Sequence, residues 1–178
     1  MFHRTERLLL RPAWPEDWPA IKAGIADLAV LRNLASAPHP YHDKDAQRFA
    51  SSVPPARFPR FLLTMADTAE VVGTIGIDPD PDGRTEMGYW VARQHWGQGF
   101  ATEAGRAVLE MACILGHTQI AAAHFVDNPA SGAVLRKIGF EPTGEIRERF
   151  SLGRGEAASS VEYALDLPVL ADHAMATA

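Results

Sequence analysis

Between Trp90 and Ala104 the chain reads WVARQHWGQGFATEA. A hydrophobic run stops, a turn with glycines at 97 and 99 follows, and a helical pattern begins at once. The first N–H groups of a helix have no partner inside it, and the helix dipole makes that end positive. Phosphate oxygens are the anions such a turn suits. Gly97 and Gly99 carry no Cβ, so the main chain can come close to a ligand. The segment reads as a cradle for a pyrophosphate. Further along, Asn128 precedes Pro129-Ala130-Ser131. Its amide both donates and accepts hydrogen bonds, which suits a ligand amide or the cap of a helix starting there. Other reactive side chains offer less. His39 and His42 have no further clustered ligands, which argues against a metal. Asp78–Asp82 (DPDPD) is an acidic turn without a complete calcium-loop pattern. Cys113, the one cysteine, lies in the apolar run MACIL and reads as a small core residue.

The whole chain bounds these readings. Its 178 residues fit one domain, 47% hydrophobic and 22% charged, as in an ordinary globule. A net charge of −5 argues against nucleic acid as the main partner. One cysteine excludes an internal disulfide. No apolar run approaches the about 20 residues of a membrane helix, and the amino end lacks a signal-peptide core. A cytoplasmic location away from membranes is the default expectation.

Elements to hold the cradle can be read in order. Arg7–Arg11 forms a first strand, and Pro15-Glu16-Asp17 starts a helix with Trp18, Ile21, Ile25 and Leu28 on one face, running to about Leu34. Residues 36–42 form a loop, and Asp43–Val53 a second helix ended by Pro54-Pro55. Three strands follow, Arg60–Met65, Val71–Ile77 and Arg84–Val91, with a strong turn at 78–83. A helix over Ala101–Leu115 stops at Gly116. Then come a strand (Gln119–Phe125), a short helix (Ala130–Ile138) and two strands (Glu141–Arg149, Ser160–Leu167). This order predicts a mixed α+β fold rather than a doubly wound sheet. A single domain over 1–168 with a tail at 169–178 is expected.

The strand YWV leading into WGQGFA, the strand ending FVDN-PAS and the helix ending LRKIGF occur in one order. With the opening RLLLRP and Asp17, they resemble the GNAT superfamily of N-acetyltransferases over residues 4 to 167. Within it the resemblance is to the ribosomal-protein-alanine acetyltransferase-like (RimJ/RimL-type) branch. It implies a central, mostly antiparallel, splayed sheet of six to seven strands flanked by about four helices. It also implies acetyl-coenzyme A as cosubstrate, no metal, a primary amine as acceptor (a protein N-terminus or a small molecule), and a possible homodimer. The family motif Gln/Arg-x-x-Gly-x-Gly/Ala matches Gln94–Gly99 literally. Counting from the strand end favours Trp96–Ala101, with Gly99 and Ala101 at the small positions and Trp96 in place of Gln/Arg. The implied cradle is then Trp96, Gly97, Gln98, Gly99, Phe100 and Ala101, with the Thr102 hydroxyl on the same phosphate.

The resemblance assigns further roles. The strand end at Trp90 and Val91 would pair with the pantetheine arm, and Asn128 would bind the pantetheine amides. Many superfamily members carry a Tyr where this chain has Leu135, so a tyrosine acid is absent there. Ser131, three residues after Asn128, is the candidate donor to the leaving thiolate. Glu86 resembles the acid that takes the amine's proton, and strand alternation puts it on one face with Gly88 and Trp90. Tyr41 and His42 fall where this family lines the acceptor pocket. Leu135 and Trp96 also motivate an alternative, a non-catalytic acyl-coenzyme A sensor or partner module. A different nucleotide-binding module is disfavoured by the missing GK[ST] and GxGxxG patterns.

Overall fold

The structure, a computed structural model, describes residues 1–169. The expected tail therefore lies, but for Val169, outside the described residues. Eight strands form one sheet in the order β1-β2-β3-β4-β5-β6-β8-β7. They are β1 (His3–Arg4), β2 (Leu8–Arg11), β3 (Arg60–Met65), β4 (Val71–Pro79), β5 (Thr85–Val91), β6 (Gln119–Phe125), β7 (Glu141–Ser151) and β8 (Glu156–Asp166). The helices are α1 (Trp18–Ile25), α2 (Leu28–Leu31), α3 (Asp43–Ser51), α4 (Phe100–Ile114) and α5 (Pro129–Lys137). The mixed, mostly antiparallel fold expected from the sequence is thus observed, with eight strands and five helices instead of six to seven and about four.

Strand alternation sorts the apolar residues onto two faces. Phe61, Leu63, Ile75, Ile77 and Met87 pack under α4 and α5 with Phe100, Val108, Ala112 and Leu135. Leu62 and Trp90 point the other way, into a second cluster with Ile21, Ile25, Leu31, Ala46 and Ala50 from α1 to α3. Helices on both faces make the sheet an interior layer. The two faces are covered unevenly along the strands, and this leaves a polar end on the α1–α3 side.

The helix expected to run unbroken to Leu34 is interrupted at Asp27. That residue takes an extended conformation, and its Oδ1 accepts from the Ala29 N–H at 2.8 Å. An aspartate bonded to a backbone amide two residues on competes with helix continuation and starts a new helix instead. The split turns α2 away from α1 and begins the loop that later meets the β7–β8 turn.

Among the neighbouring strands of the described residues, only β5 and β6 run parallel. They share a single residue pair, Glu86 with Ala121. Beyond it β5 stays with β4 as far as Val91, and β6 stays with β8 through Phe125, so the two halves of the sheet part.

Near the chain start, Arg11 grips Asp17 with both terminal nitrogens at 2.7 Å and stacks on Trp14, 4.1 Å from the ring centre. Asp17 also accepts from the Trp14 N–H at 2.7 Å. Burial pushes its pKa up, but the Arg11 and Trp14 hydrogen bonds outweigh this and hold it below the usual aspartate value. A carboxyl depressed in the folded state contributes stability that is present above its unfolded pKa and fades as pH falls through the folded one. Asp17→Asn is expected to cost about 2 kcal/mol in denaturant unfolding, because Arg11 is left half-satisfied and largely buried. Its acid limb, Tm against pH below about 4, should be shallower than that of the unsubstituted protein, and equal limbs would overturn the assignment.

Candidate active site

Where β5 and β6 diverge, a cleft of about 1190 Å³ opens. Its first wall is the free edge of β5. The Ala92 N–H donates to the Val72 carbonyl, and Val91 stands opposite Gly73. That register makes Val91 a non-hydrogen-bonded position of the β4–β5 ladder, so its N–H and C=O point toward the gap. Its carbonyl accepts from the Trp96 indole Nε1 at 2.7 Å, while its N–H has no acceptor among the described residues. Trp90 also lines the cleft, but its backbone groups face β4 and its ring is 7% exposed within the α1–α3 cluster, so of the two residues Val91 is the one whose backbone faces the gap.

The turn after β5 forms the second wall. Gly97 and Gly99 have φ of +74° and +83°, the left-handed region that side chains disfavour, and α4 starts at Phe100. The N–H groups of Gly97, Gln98, Gly99, Phe100, Ala101 and Thr102 find no acceptor among the described residues. Such a row of unpaired amides at the positive end of a 15-residue helix forms a concave anion site. Thr102 lines the cleft with its hydroxyl unpaired among the described residues. The side chains of Gln98 and Phe100 take no part. Gln98 turns back to the Gln94 carbonyl at 3.2 Å, and Phe100 is buried in the core, so each offers only its N–H. Trp96 lines the cleft and fixes the strand end through its indole hydrogen bond to the Val91 carbonyl.

Opposite stands the start of α5. Asn128 caps that helix, its Oδ1 accepting from the Ser131 N–H at 3.4 Å, and its Nδ2 has no partner among the described residues. The Ser131 hydroxyl lies 2.7 Å from the Tyr89 hydroxyl. Tyr89 comes from β5, so this contact spans the gap between the separated strands. Burial pushes the Tyr89 pKa up to about 12, and the Ser131 hydrogen bond only partly offsets it. The phenol stays protonated at neutral pH, and either hydroxyl of the pair can donate to the other. Sequence reasoning assigned the Tyr89 side chain no role in the site. The usable signal was its alternation with Glu86, which turns it to the α4–α5 face. Leu135, where a tyrosine was sought, is buried in that core.

Glu86 lies on the other face of β5, beside an open floor. A Cβ at Gly88 would meet nothing within 4 Å. The Glu86 carboxylate pairs with Arg149 at 2.6 Å, and Arg149 also stands 3.7 Å from the buried Glu162. Arg60 and Asp78, paired at 3.3 Å, continue this charged floor. Tyr41 lines the cleft, and burial raises its pKa to about 12. His42 does not line it. The residue is exposed at the N-cap of α3, with its N–H donating to Asp45 at 3.0 Å. Among the described residues no group of three or more His, Cys, Asp and Glu is arranged to hold a metal, and no helix is long and apolar enough to cross a membrane.

A bridge closes one side of the cleft. The Ser151 hydroxyl donates to the Leu34 carbonyl at 2.7 Å, and the Leu152 N–H to the Ala35 carbonyl at 2.9 Å. A Cβ at Gly153 would stand 2.1 Å from the Leu31 carbonyl, so only glycine permits this approach. Arg154 bonds the Arg32 carbonyl at 2.6 Å and both oxygens of Asp127 at 3.0 and 2.7 Å. The β7–β8 turn is thereby tied to the α2 loop and to the end of β6.

A family model described as Acetyltransferase (GNAT) domain matches residues 7–141. The uncharacterized N-acetyltransferase YoaA of Bacillus subtilis (strain 168) is 34% identical over 152 residues, covering 81% of this chain and 85% of that protein. A crystal structure of a GNAT-family acetyltransferase from Bacillus anthracis superposes with a TM-score of 0.80 at 24% identity, over 93% of this chain and 98% of the other. The RimL ribosomal L7/L12 alpha-N-protein acetyltransferase in complex with coenzyme A does so with a TM-score of 0.78 at 18% identity, over 96% and 100%. At these identities the superpositions speak for the fold, while the family model and YoaA reach further. The chain belongs to the GNAT family and is an acetyltransferase.

Proposed function

We propose that this acetyltransferase moves an acetyl group from acetyl-coenzyme A to a primary amine, by direct attack while both substrates occupy the cleft. The row of unpaired amides from Gly97 to Thr102, leading into the free edge of β5, carries this reading. The amides and the Thr102 hydroxyl fit a diphosphate. The Val91 N–H and the Asn128 Nδ2 fit the carbonyls of an amide-containing arm that lies in the gap as an added strand. Bound there, the thioester supplies the activated acetyl group.

The remaining work belongs to the chain's own residues. Glu86 accepts the proton of the incoming amine, directly or through one water, as the C–N bond forms and the C–S bond breaks. Arg149 holds that carboxylate in place through the 2.6 Å ion pair. Ser131 donates a hydrogen bond to the departing thiolate. A serine hydroxyl is far too weak an acid to give up its proton here, so its contribution is charge stabilisation. Tyr89 supports it by donating to the Ser131 oxygen, leaving the serine hydrogen for the sulfur. Holding both reactants under the bridge supplies orientation.

The acceptor is a protein N-terminus or a small amine, the classes suggested by the RimJ/RimL-type order of RLLLRP, WGQGFATEA and DNPAS. Tyr41 and the charged floor would meet it.

Calorimetric titration with acetyl-coenzyme A, with ATP and NAD as controls, tests the cradle, and thiol release against an amine panel tests the transfer. Selective coenzyme A binding with thiol release is expected, and folded protein that binds neither acetyl-coenzyme A nor coenzyme A would sink the reading. Glu86→Gln should lower kcat about a hundredfold, with acetyl-coenzyme A affinity unchanged. Ser131→Ala and Tyr89→Phe should each cost kcat about tenfold, and the double variant little more than Ser131→Ala alone. Additive losses would separate the two hydroxyls.

A further inference from the structure

We infer that Arg7 is a positioning residue of the diphosphate cradle, acting through the Gln98 carbonyl and locked in place by Glu103; this rests on the coenzyme A reading above. Arg7 immediately precedes β2, far from the cradle in sequence, yet its Nη1 donates to the Gln98 carbonyl at 2.9 Å. Its Nε and Nη2 bind Glu103 Oε2 at 2.8 and 2.7 Å. Its guanidinium carbon lies 4.6 Å from the centre of the Phe100 ring, and Nη2 is 3.5 Å from where a Cβ on Gly99 would stand. One side chain thus touches Gln98, Gly99 and Phe100 and holds Glu103, a turn further along α4. Glu103 is itself fixed twice more, by the Thr5 hydroxyl at 2.6 Å and the Arg7 N–H at 2.8 Å.

The geometry of a peptide bond gives this clamp its effect. In a trans peptide the C=O of one residue and the N–H of the next point in opposite directions. Pulling the Gln98 carbonyl toward β2 therefore turns the Gly99 N–H the other way, into the cradle. Without the clamp, a turn flanked by Gly97 and Gly99 rotates this peptide at low cost, because glycine accepts both signs of φ. An inverted peptide would present a carbonyl oxygen to the diphosphate. The charge of Arg7 is already balanced by Glu103. Its contribution is then the aim of an amide more than attraction at a distance. The planar fork matters, because it reaches a carbonyl and a carboxylate together, and a lysine ammonium does not reproduce that arrangement.

The test compares donors with and without the diphosphate. Arg7→Met removes the fork but keeps an unbranched side chain of similar reach, and Glu103 keeps its bonds to Thr5 and to the backbone N–H at position 7. Arg7→Met and Arg7→Lys are each expected to weaken coenzyme A binding about tenfold by calorimetry and to raise KM for acetyl-coenzyme A by the same factor. The kcat at saturating acetyl-coenzyme A, and the rate with S-acetylpantetheine, which lacks the diphosphate, should stay within about twofold of the unsubstituted protein. Glu103→Gln should show the same selective pattern with a smaller loss, and it carries the test if the Arg7 variants fail to fold. Unchanged coenzyme A affinity would overturn the inference and leave the acetyl-transfer reading standing. Parallel losses with both donors would assign Arg7 to general fold support and overturn it as well. Absence of coenzyme A binding by the unsubstituted protein would overturn both.

Discussion

Two parallel strands that share one residue pair, Glu86 with Ala121, govern the arrangement of everything else in this molecule. Each strand is fully paired on its outer side, β5 with β4 and β6 with β8, so neither can follow the other once the sheet twists apart. Buried backbone polar groups that stay unpaired cost free energy, and a folded chain normally satisfies them within a sheet. Here the N–H of Val91, without an acceptor among the described residues, lies at the mouth of a cleft. The separation also lets side chains from both faces of β5 reach one space. Tyr89 arrives from the α4–α5 side and Glu86 from the α1–α3 side.

The polar end of the sheet follows from uneven helix cover. The α1–α3 cluster seals the part of the face around Trp90 and Leu62, and beyond it Arg60, Asp78, Glu86 and Arg149 stand on the open floor as neutralising pairs. The bridge from the β7–β8 turn to the α2 loop completes the enclosure, and it depends on Asp27 having ended α1 early. A local capping preference in the sequence is thereby connected to the shape of the acceptor side.

Much of this was legible in the residue order. The three strands before the cradle, the long helix after it and the strand at Gln119–Phe125 appear within a few residues of their expected limits, because alternation, helical spacing and glycine stops are local signals. The glycine turn announced its own conformation, since only glycine is at ease at the φ values found at 97 and 99. The two-residue β1 is too short to show a period, and β8 begins at Glu156, earlier than its apolar pattern suggests, because the β7–β8 turn sets its register. His42, read as a loop residue, stands at the N-cap of α3 in the fold.

By itself, the sequence determined the order of the elements from β2 onward apart from the break between α1 and α2, the family and the row of amides at the start of α4, all of which depend on residues close together in the chain. Tertiary structure alone decided which distant groups meet. It paired Tyr89 with Ser131, Glu86 with Arg149, Arg7 with Gln98 and Ser151 with Leu34, over separations no local pattern spans. It also decided that Val91, and not Trp90, offers its backbone to the gap, because that choice rests on the register between β4 and β5. Register is a property of two strands together, and shifting it by one residue would have exchanged the two roles.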